Sequence, residues 1–287
     1  MYINFTTTGE KIMRCWYRET RFECGDYLDV ALYPVYTKSV VRAKKAKPTS
    51  ETQQKLNDTL AENKLIRIAN ANFTEDDIKL DLTYIEDYHP ESDEEAARQL
   101  SIFLRRVKRY RESNGLEPLK YISVTEKGKR KGRFHHHLIM NGGIDQTELQ
   151  RIWGKGYIKT AGLVFDENGI ATLVGYMLKQ AREFMGKKKY SRSRNLIVPQ
   201  AKSRDNRFSQ KQVKELARDT TDRAQFEKLY EGYFLSQAQV IHNDANGGVY
   251  IYARYYKQEA KWCNRKKKSS KQRSSDGQAM PKCRMRN

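Results

Sequence analysis

The stretch YISVTEKGKRKGRFHHHLIM, residues 121–140, holds two strand-like runs on either side of a short basic segment. The runs 119–126 and 133–140 flank Gly128 and Gly132, and a glycine-containing connection between two such runs predicts a β-hairpin. Three of the five histidines in the chain stand side by side in the second run, directly before an apolar segment. The same hairpin therefore predicts the local fold and positions a histidine cluster.

Strand geometry divides these three histidines between two faces. Successive side chains alternate across a strand, so His135 and His137 share one face and His136 points to the other. Glu126 ends the first run, and a register that pairs positions near 126 and 135 brings its carboxylate beside the two imidazoles. A His–His–Glu set with open positions suits a divalent ion that takes part in chemistry. We predict a metal site at His135, His137 and Glu126, and leave a contribution from His136 open.

A tyrosine and a lysine stand three residues apart in GYMLKQ, residues 175–180. Tyr176 and Lys179 share a face if this segment is helical. A phenol with a pKa of about 10 is a poor nucleophile, but a nearby cation and a metal-bound phosphate favour its phenolate form. Such pairs arise by chance among 18 tyrosines, so the preceding histidine motif gives this pair its weight.

The other segments alternate between helix and strand signals. Strands are predicted at 27–36, 77–87 and 156–166 and a hairpin at 238–256 around Asn246-Gly247-Gly248; helices are predicted from Ser50 to about 73 and at 91–113, 145–154, 171–186 and, for the most part, 209–236. Composition and a basic run that ends near Pro48 suggest three parts. These are a β-rich segment of unknown role (1–47), a main domain with a helical and hairpin extension (48–257), and a basic tail (258–287) that we expect to be disordered.

The charge balance indicates an anionic partner. The net charge is +20, from 55 Lys and Arg against 35 Asp and Glu, and aromatic residues make up 11% of the chain. This combination suits nucleic acid, because cations track phosphates and rings stack on unpaired bases. No apolar run approaches the roughly 20 residues that a membrane helix needs, and the N-terminus lacks the hydrophobic core of a signal peptide. The four cysteines form no CxxC pair, so we expect free thiols in an intracellular protein without a membrane partner.

Two basic clusters flank the hairpin tip and the tyrosine helix. We expect both to contact DNA phosphates, with a steep loss of binding as salt rises. Their members are Lys127, Lys129, Arg130, Lys131 and Arg133 in the first cluster, and Lys187, Lys188, Lys189, Arg192 and Arg194 in the second.

The order of these motifs resembles the HUH endonuclease superfamily, and more closely the rolling-circle replication initiators of plasmids and single-stranded DNA phages. LDLTY (80–84) is similar to the first strand motif of that superfamily, residues 121–142 to its metal motif, and 175–180 to its nucleophile motif. YSRSRNLIVP (190–199) resembles a segment that often follows in phage-type members. The resemblance covers roughly residues 48–200.

The resemblance implies an α+β fold in which a central antiparallel sheet with flanking helices presents the metal site beneath Tyr176. It implies a Mg²⁺ or Mn²⁺ ion, and imidazole ligands favour Mn²⁺. Tyr176 would attack single-stranded DNA at a replication origin, leaving a 5′-phosphotyrosine and a free 3′-hydroxyl, with Lys179 orienting the phosphate. The setting would be the cytoplasm of a bacterial host. A host polymerase and a host helicase would be partners, because the sequence has no GxxxxGK[ST] motif.

Three alternatives stay open at this point. Tyr190 is a second candidate nucleophile, although only Tyr176 has a lysine three residues on. A transposase or a conjugative relaxase would use the same chemistry. A single-stranded nucleic-acid-binding protein without catalysis would share the charge and the aromatic residues. Such a binding protein would tolerate Tyr176→Phe, whereas a nicking enzyme would not.

Overall fold

A computed structural model of the protein describes residues 15–36, 51–128, 132–181, 190–243 and 248–260. In chain order, these ranges contain β1 Cys15–Cys24, β2 Tyr27–Tyr36, α1 Glu51–Asn72, β3 Ile78–Leu82, a 3₁₀ turn Glu86–Tyr88, α2 Asp93–Ser113, β4 Tyr121–Lys127, β5 Phe134–Met140, α3 Gln146–Trp153, β6 Ile158–Gly162, α4 Ala171–Ala181, β7 Ser191–Arg192, β8 Lys202–Asp205, α5 Gln210–Leu216, α6 Arg223–Glu227, β9 Tyr233–Asn243 and β10 Gly248–Lys257. None of the helices described combines the length and apolar character needed to cross a bilayer.

The strands form two antiparallel sheets of five strands each. The first, which we call the histidine sheet, has the order β6-β3-β5-β4-β7. The second, the terminal sheet, has the order β8-β1-β2-β10-β9 and joins strands from the two ends of the described chain. The α+β class is confirmed, and the histidine sheet is the sheet with flanking helices.

Helices cover both faces of the histidine sheet. One face is apolar where Leu80 and Leu82 of β3 and Leu138 of β5 point the same way, and α2 packs there through its Phe103 and Val107 stripe, together with α3. The other face packs against α1 and α4 around Ile122, Val124 and Ile139 of the sheet. That face also receives the polar side chains of β3 and β5, so the candidate site lies on the α1–α4 side.

Helix α1 connects the two sheets. Its buried residues Leu65 and Ile68 pack in the cluster shared with α4, while Arg67 reaches the terminal sheet. The Nε atom of Arg67 lies 2.8 Å from Oδ2 of Asp29, and Nε of Arg254 lies 2.9 Å from Oδ1 of the same carboxylate. One nearly buried aspartate therefore joins α1, β2 and β10.

The segment 209–236 departs from its predicted helical character. It contains two short helices, and strand β9 already begins at Tyr233. The carboxylate of Asp219 accepts hydrogen bonds from the backbone and hydroxyl of Thr221, and Asp222 caps the first turn of α6. Such side-chain bonds offer the backbone an alternative to a continuous helix. The prediction of one long helix was wrong for this reason.

Several predictions fall on residues outside the described ranges. These are the N-cap at Ser50, the tip of the 238–256 hairpin at Asn246-Gly247, and nearly all of the tail from 261 onwards. The three-part division of the chain also stays a prediction. Within the described residues, β1 and β2 pair with β8 and β10.

Replacing Asp29 with alanine should lower the free energy of unfolding by about 3–5 kcal/mol, because two buried guanidinium groups lose their counter-charge. Urea unfolding followed by circular dichroism measures the change. The matched control is Asp26→Ala, which removes a half-exposed partner of Lys257 at 3.5 Å and should cost less than about 1 kcal/mol. Equal losses in both variants would contradict the proposed role of Asp29.

Candidate active site

The register of the β4–β5 hairpin agrees with the expected pairing. Glu126 lies opposite His135, and Thr125 lies opposite His136. On the other side of β5, Asp81 of β3 lies opposite His137. Because alternation puts every second residue on one face, His135, His137, Glu126 and Asp81 share the face covered by α1 and α4.

His137 is buried, and its two ring nitrogens have different environments. Its Nδ1 lies 2.6 Å from Oδ1 of Asp81. A carboxylate can only accept, so the imidazole proton sits on Nδ1 and donates to Asp81. Its Nε2 has no hydrogen-bond partner among the described residues and lies 3.6 Å from Oε2 of Glu126. A nitrogen lone pair and a carboxylate oxygen therefore face each other with no hydrogen between them.

Asp81 is held in its ionised form. Burial alone would raise the pKa of this carboxyl, but the hydrogen bond and charge of His137, together with Lys79, outweigh it and lower the pKa below its ordinary value. The Nζ atom of Lys79 lies 3.3 Å from Oδ2 of Asp81. An ionised Asp81 is the stronger acceptor for the Nδ1 proton of His137 and keeps that imidazole in one tautomer.

His135 completes the predicted set in sequence but is not drawn in as tightly. Its ring lies beside Gly128, about 3.8 Å from where a β-carbon on that glycine would stand. Burial lowers the pKa of His135, against the opposing charge of Glu126, so the neutral form is favoured. In the described part of the chain, no three His, Cys, Asp or Glu side chains converge into a ready-made metal cluster.

The residue types and positions nevertheless fit a divalent ion. The buried, unpartnered Nε2 of His137 faces the carboxylate of Glu126, while its Nδ1 is fixed by Asp81. Metal-binding histidines commonly have this arrangement, in which a carboxylate holds the far nitrogen. An ion between the two atoms would satisfy both.

His136 belongs to the opposite face and is fully buried. Its Nε2 lies 2.6 Å from the hydroxyl of Tyr84, and its Nδ1 lies 2.8 Å from Oγ1 of Thr125. Its ring also makes an edge contact with Trp153 in the α2–α3 core. Both nitrogens are thus used within the fold, and His136 points away from the candidate site.

Tyr176 of α4 lies directly beside His137. The two rings meet edge to face with centroids 6.0 Å apart, and Tyr176 remains 49% exposed. The Nζ atom of Lys79 lies 5.9 Å from the centre of the Tyr176 ring. Lys179 is exposed one turn further along α4, whereas Tyr190 is half-buried against the α1–α4 cluster.

The predicted phosphate-binding residues are described only in part. Lys127 and Arg194 are exposed, and Arg192 lies on the edge strand β7. Arg133 forms an ion pair with Glu86, so part of its charge is neutralised within the protein. Lys129, Arg130, Lys131, Lys187, Lys188 and Lys189 lie outside the described ranges.

Two residues of this site were not singled out from the sequence. Asp81 and Lys79 belong to a run in which polar and apolar residues alternate, and that alternation had predicted only a strand with one wet face. The wet face is the site face, because β3 pairs directly with β5. Without the pairing partner, the sequence does not say what these side chains meet.

One comparison with known proteins gives a match. Residues 78–181, from β3 to the end of α4, match the family described as replication-associated protein ORF2. This similarity supports a role as a replication initiator. The matched range contains every residue of the arrangement described above: Lys79, Asp81, Glu126, His135, His137, Tyr176 and Lys179. No curated protein and no solved structure gave a match.

The burial of His136 should make the protein less stable in mild acid. Burial, and to a smaller extent the neighbouring His137 and His135, lowers the pKa of His136 from 6.5 to about 3. The unfolded chain therefore takes up a proton below pH 6.5 that the folded chain does not, and stability falls as the pH drops towards 3. Between pH 7 and 5.5 this amounts to about 1 kcal/mol.

Urea unfolding of the wild type and of His136→Phe over this pH range measures the effect. The variant loses the bonds to Tyr84 and Thr125 and should be less stable at pH 7 by about 1–3 kcal/mol. Its further loss between pH 7 and 5.5 should be smaller than that of the wild type. Parallel pH curves for the two proteins would show that His136 is protonated in the folded state.

Proposed function

We propose that the protein initiates DNA replication by nicking single-stranded DNA at an origin, with Tyr176 as the nucleophile. The observation that carries the proposal is the contact between Tyr176 and His137, whose Nε2 is open towards Glu126. A tyrosine, an oriented imidazole and a carboxylate at one place suit phosphoryl transfer. The similarity to replication-associated proteins over residues 78–181 supports this choice of reaction.

A Mg²⁺ or Mn²⁺ ion would be held by Glu126 and His137, with His135 beside them. When bound, such an ion polarises a phosphate oxygen and offsets the charge that develops on it. Asp81 contributes by holding the Nδ1 proton of His137, so that Nε2 stays an acceptor.

Tyr176 would attack the scissile phosphorus with its phenolic oxygen. The new bond is between this oxygen and phosphorus, and the bond that breaks joins phosphorus to the 3′ oxygen of the preceding nucleotide. The phenol loses its proton and the departing oxygen takes one up, leaving a 5′-phosphotyrosine and a 3′-hydroxyl. One phosphoester replaces another, so the step can be reversed to rejoin the strand.

Two lysines are placed to assist the tyrosine. Lys179 is one helical turn from Tyr176 and would hold the phosphate. Lys79 lies over the Tyr176 ring at 5.9 Å and is tethered to Asp81. A cation at this position favours the phenolate over the phenol. The released 3′-hydroxyl would serve a host polymerase, and a host helicase would unwind the duplex ahead of it.

Mixing the protein with labelled origin-region single-stranded DNA and Mn²⁺ should give a covalent adduct on a denaturing gel. Tyr176→Phe should abolish the adduct, because its ring keeps the packing but has no oxygen to attack. Tyr157→Phe is the matched control, since Tyr157 is 72% exposed within the same matched region, and should leave the adduct unchanged. An adduct that persists in Tyr176→Phe but disappears in Tyr190→Phe would move the nucleophile to Tyr190. Tight DNA binding with no adduct from any protein would favour the binding function.

Asp81→Asn should weaken Mn²⁺ binding by about 10- to 100-fold, because the amide no longer fixes His137 as a strong ligand. Free Mn²⁺ counted by electron paramagnetic resonance gives the affinity without any need for activity. The control is Asp87→Asn, an exposed carboxylate of the 3₁₀ turn, which should bind Mn²⁺ like the wild type. Unchanged affinity in Asp81→Asn would argue against an ion at His137.

A further inference from the structure

A cleft on the terminal sheet lies outside the residues that resemble the replication-associated family. It has a cavity volume of about 570 Å³, within the range of typical ligand sites. Trp16 of β1 and Phe208 form one side, and Lys211, Lys214, Glu215 and Arg218 line the other. We call it the α5 cleft. The nicking site does not use any of these residues.

The wall formed by α5 and the residues that follow it is positively charged. Lys211, Lys214 and Arg218 are spaced by three and four residues, so they lie along one side, and all three are exposed. Glu215 is the acidic residue of the lining. Three cations against one carboxylate leave a positive surface that suits a phosphate-bearing ligand.

The walls of the cleft are fixed by bonds outside the cavity. The backbone amide of Asn206 donates to the carbonyl of Tyr17 at 3.1 Å. Arg18 and Asp205 form a two-point ion pair at 2.6 and 2.9 Å. The hydroxyl of Tyr17 accepts from the amide of Val249 at 3.3 Å. These bonds hold the segment before α5 against β1, so a ligand would meet a preformed site.

The aromatic side indicates what kind of phosphate-bearing ligand fits. Tyr17 and Phe208 are buried and form the floor, whereas Trp16 is only half-buried and offers part of its ring. An unpaired base can enter a concave cleft and stack on such a ring. A duplex keeps its bases stacked inside and presents a rigid backbone, which does not fit a cavity of this shape.

We propose that the α5 cleft binds a nucleotide unit of single-stranded DNA, with the base against Trp16 and the phosphates on Lys211, Lys214 and Arg218. The cleft would be a second DNA contact, separate from Tyr176. It rests on the proposed nicking function only for the identity of the polymer. Its purpose would be to hold the strand while the first site cuts.

The test is fluorescence anisotropy with a labelled single-stranded oligonucleotide. It uses the full chain in a Tyr176→Phe background with chelator present, so that binding is measured whether or not nicking occurs. Lys211→Gln/Lys214→Gln/Arg218→Gln should lose about tenfold or more in affinity, and the slope of log affinity against log salt should shrink by about 2, at roughly 0.7 per cation on a single strand. Trp16→Leu should lose about tenfold through stacking.

A second triple variant provides the matched control. Arg105→Gln/Arg109→Gln/Lys228→Gln removes three exposed cations from α2 and from the end of α6, and should bind nearly as the wild type does. Thermal unfolding checks that both triple variants fold. Equal affinities of the two triple variants would overturn the inference, as would an equal loss for a duplex of the same length. If the wild type forms no adduct but the cleft variant still binds weakly, the nicking function fails and the cleft stands.

Discussion

The register of one β-hairpin determines both what is buried and what is available for chemistry. Glu126 opposite His135 places the polar side chains of the site under α4, and it places His136 in the core beneath α2 and α3. A shift of one residue would exchange the two faces and bury the site ligands in an apolar cluster. The remaining packing of the histidine sheet depends on this pairing, because each helix pair recognises one face.

His136 gives that register a polar lock. Its two nitrogens are bonded to Tyr84, after β3, and to Thr125, on β4, so the ring ties three segments together inside an apolar core. A slipped hairpin would leave these groups buried and without partners, which is costly. Three consecutive histidines therefore serve two different ends. The middle one specifies the fold, and its neighbours are free to meet a ligand.

The sequence was informative where the signal is local. Alternation in 121–140 and the stripe on α2 predicted their elements, and alternation together with turn residues predicted the hairpin register. Long-range pairing was not predictable, because β2 and β10 are ordinary alternating strands and nothing in either names the other as partner. The same limit hid Asp81, whose role exists only because β3 lies next to β5. In 209–236, the side-chain bonds of Asp219 outweighed helix propensity.

The terminal sheet has a consequence for the order of folding. Leu32 of β2 pairs with Ile251 of β10, so a strand made early in synthesis waits for one of the last described strands. The histidine sheet and its helices lie between them in sequence and can form from contacts already available. Until β10 emerges, one edge of β2 is open and can pair with other chains. Completion of the second sheet is then a late folding step, and a ribosome that stalls before β10 would release a chain with a finished first sheet and an unprotected strand edge.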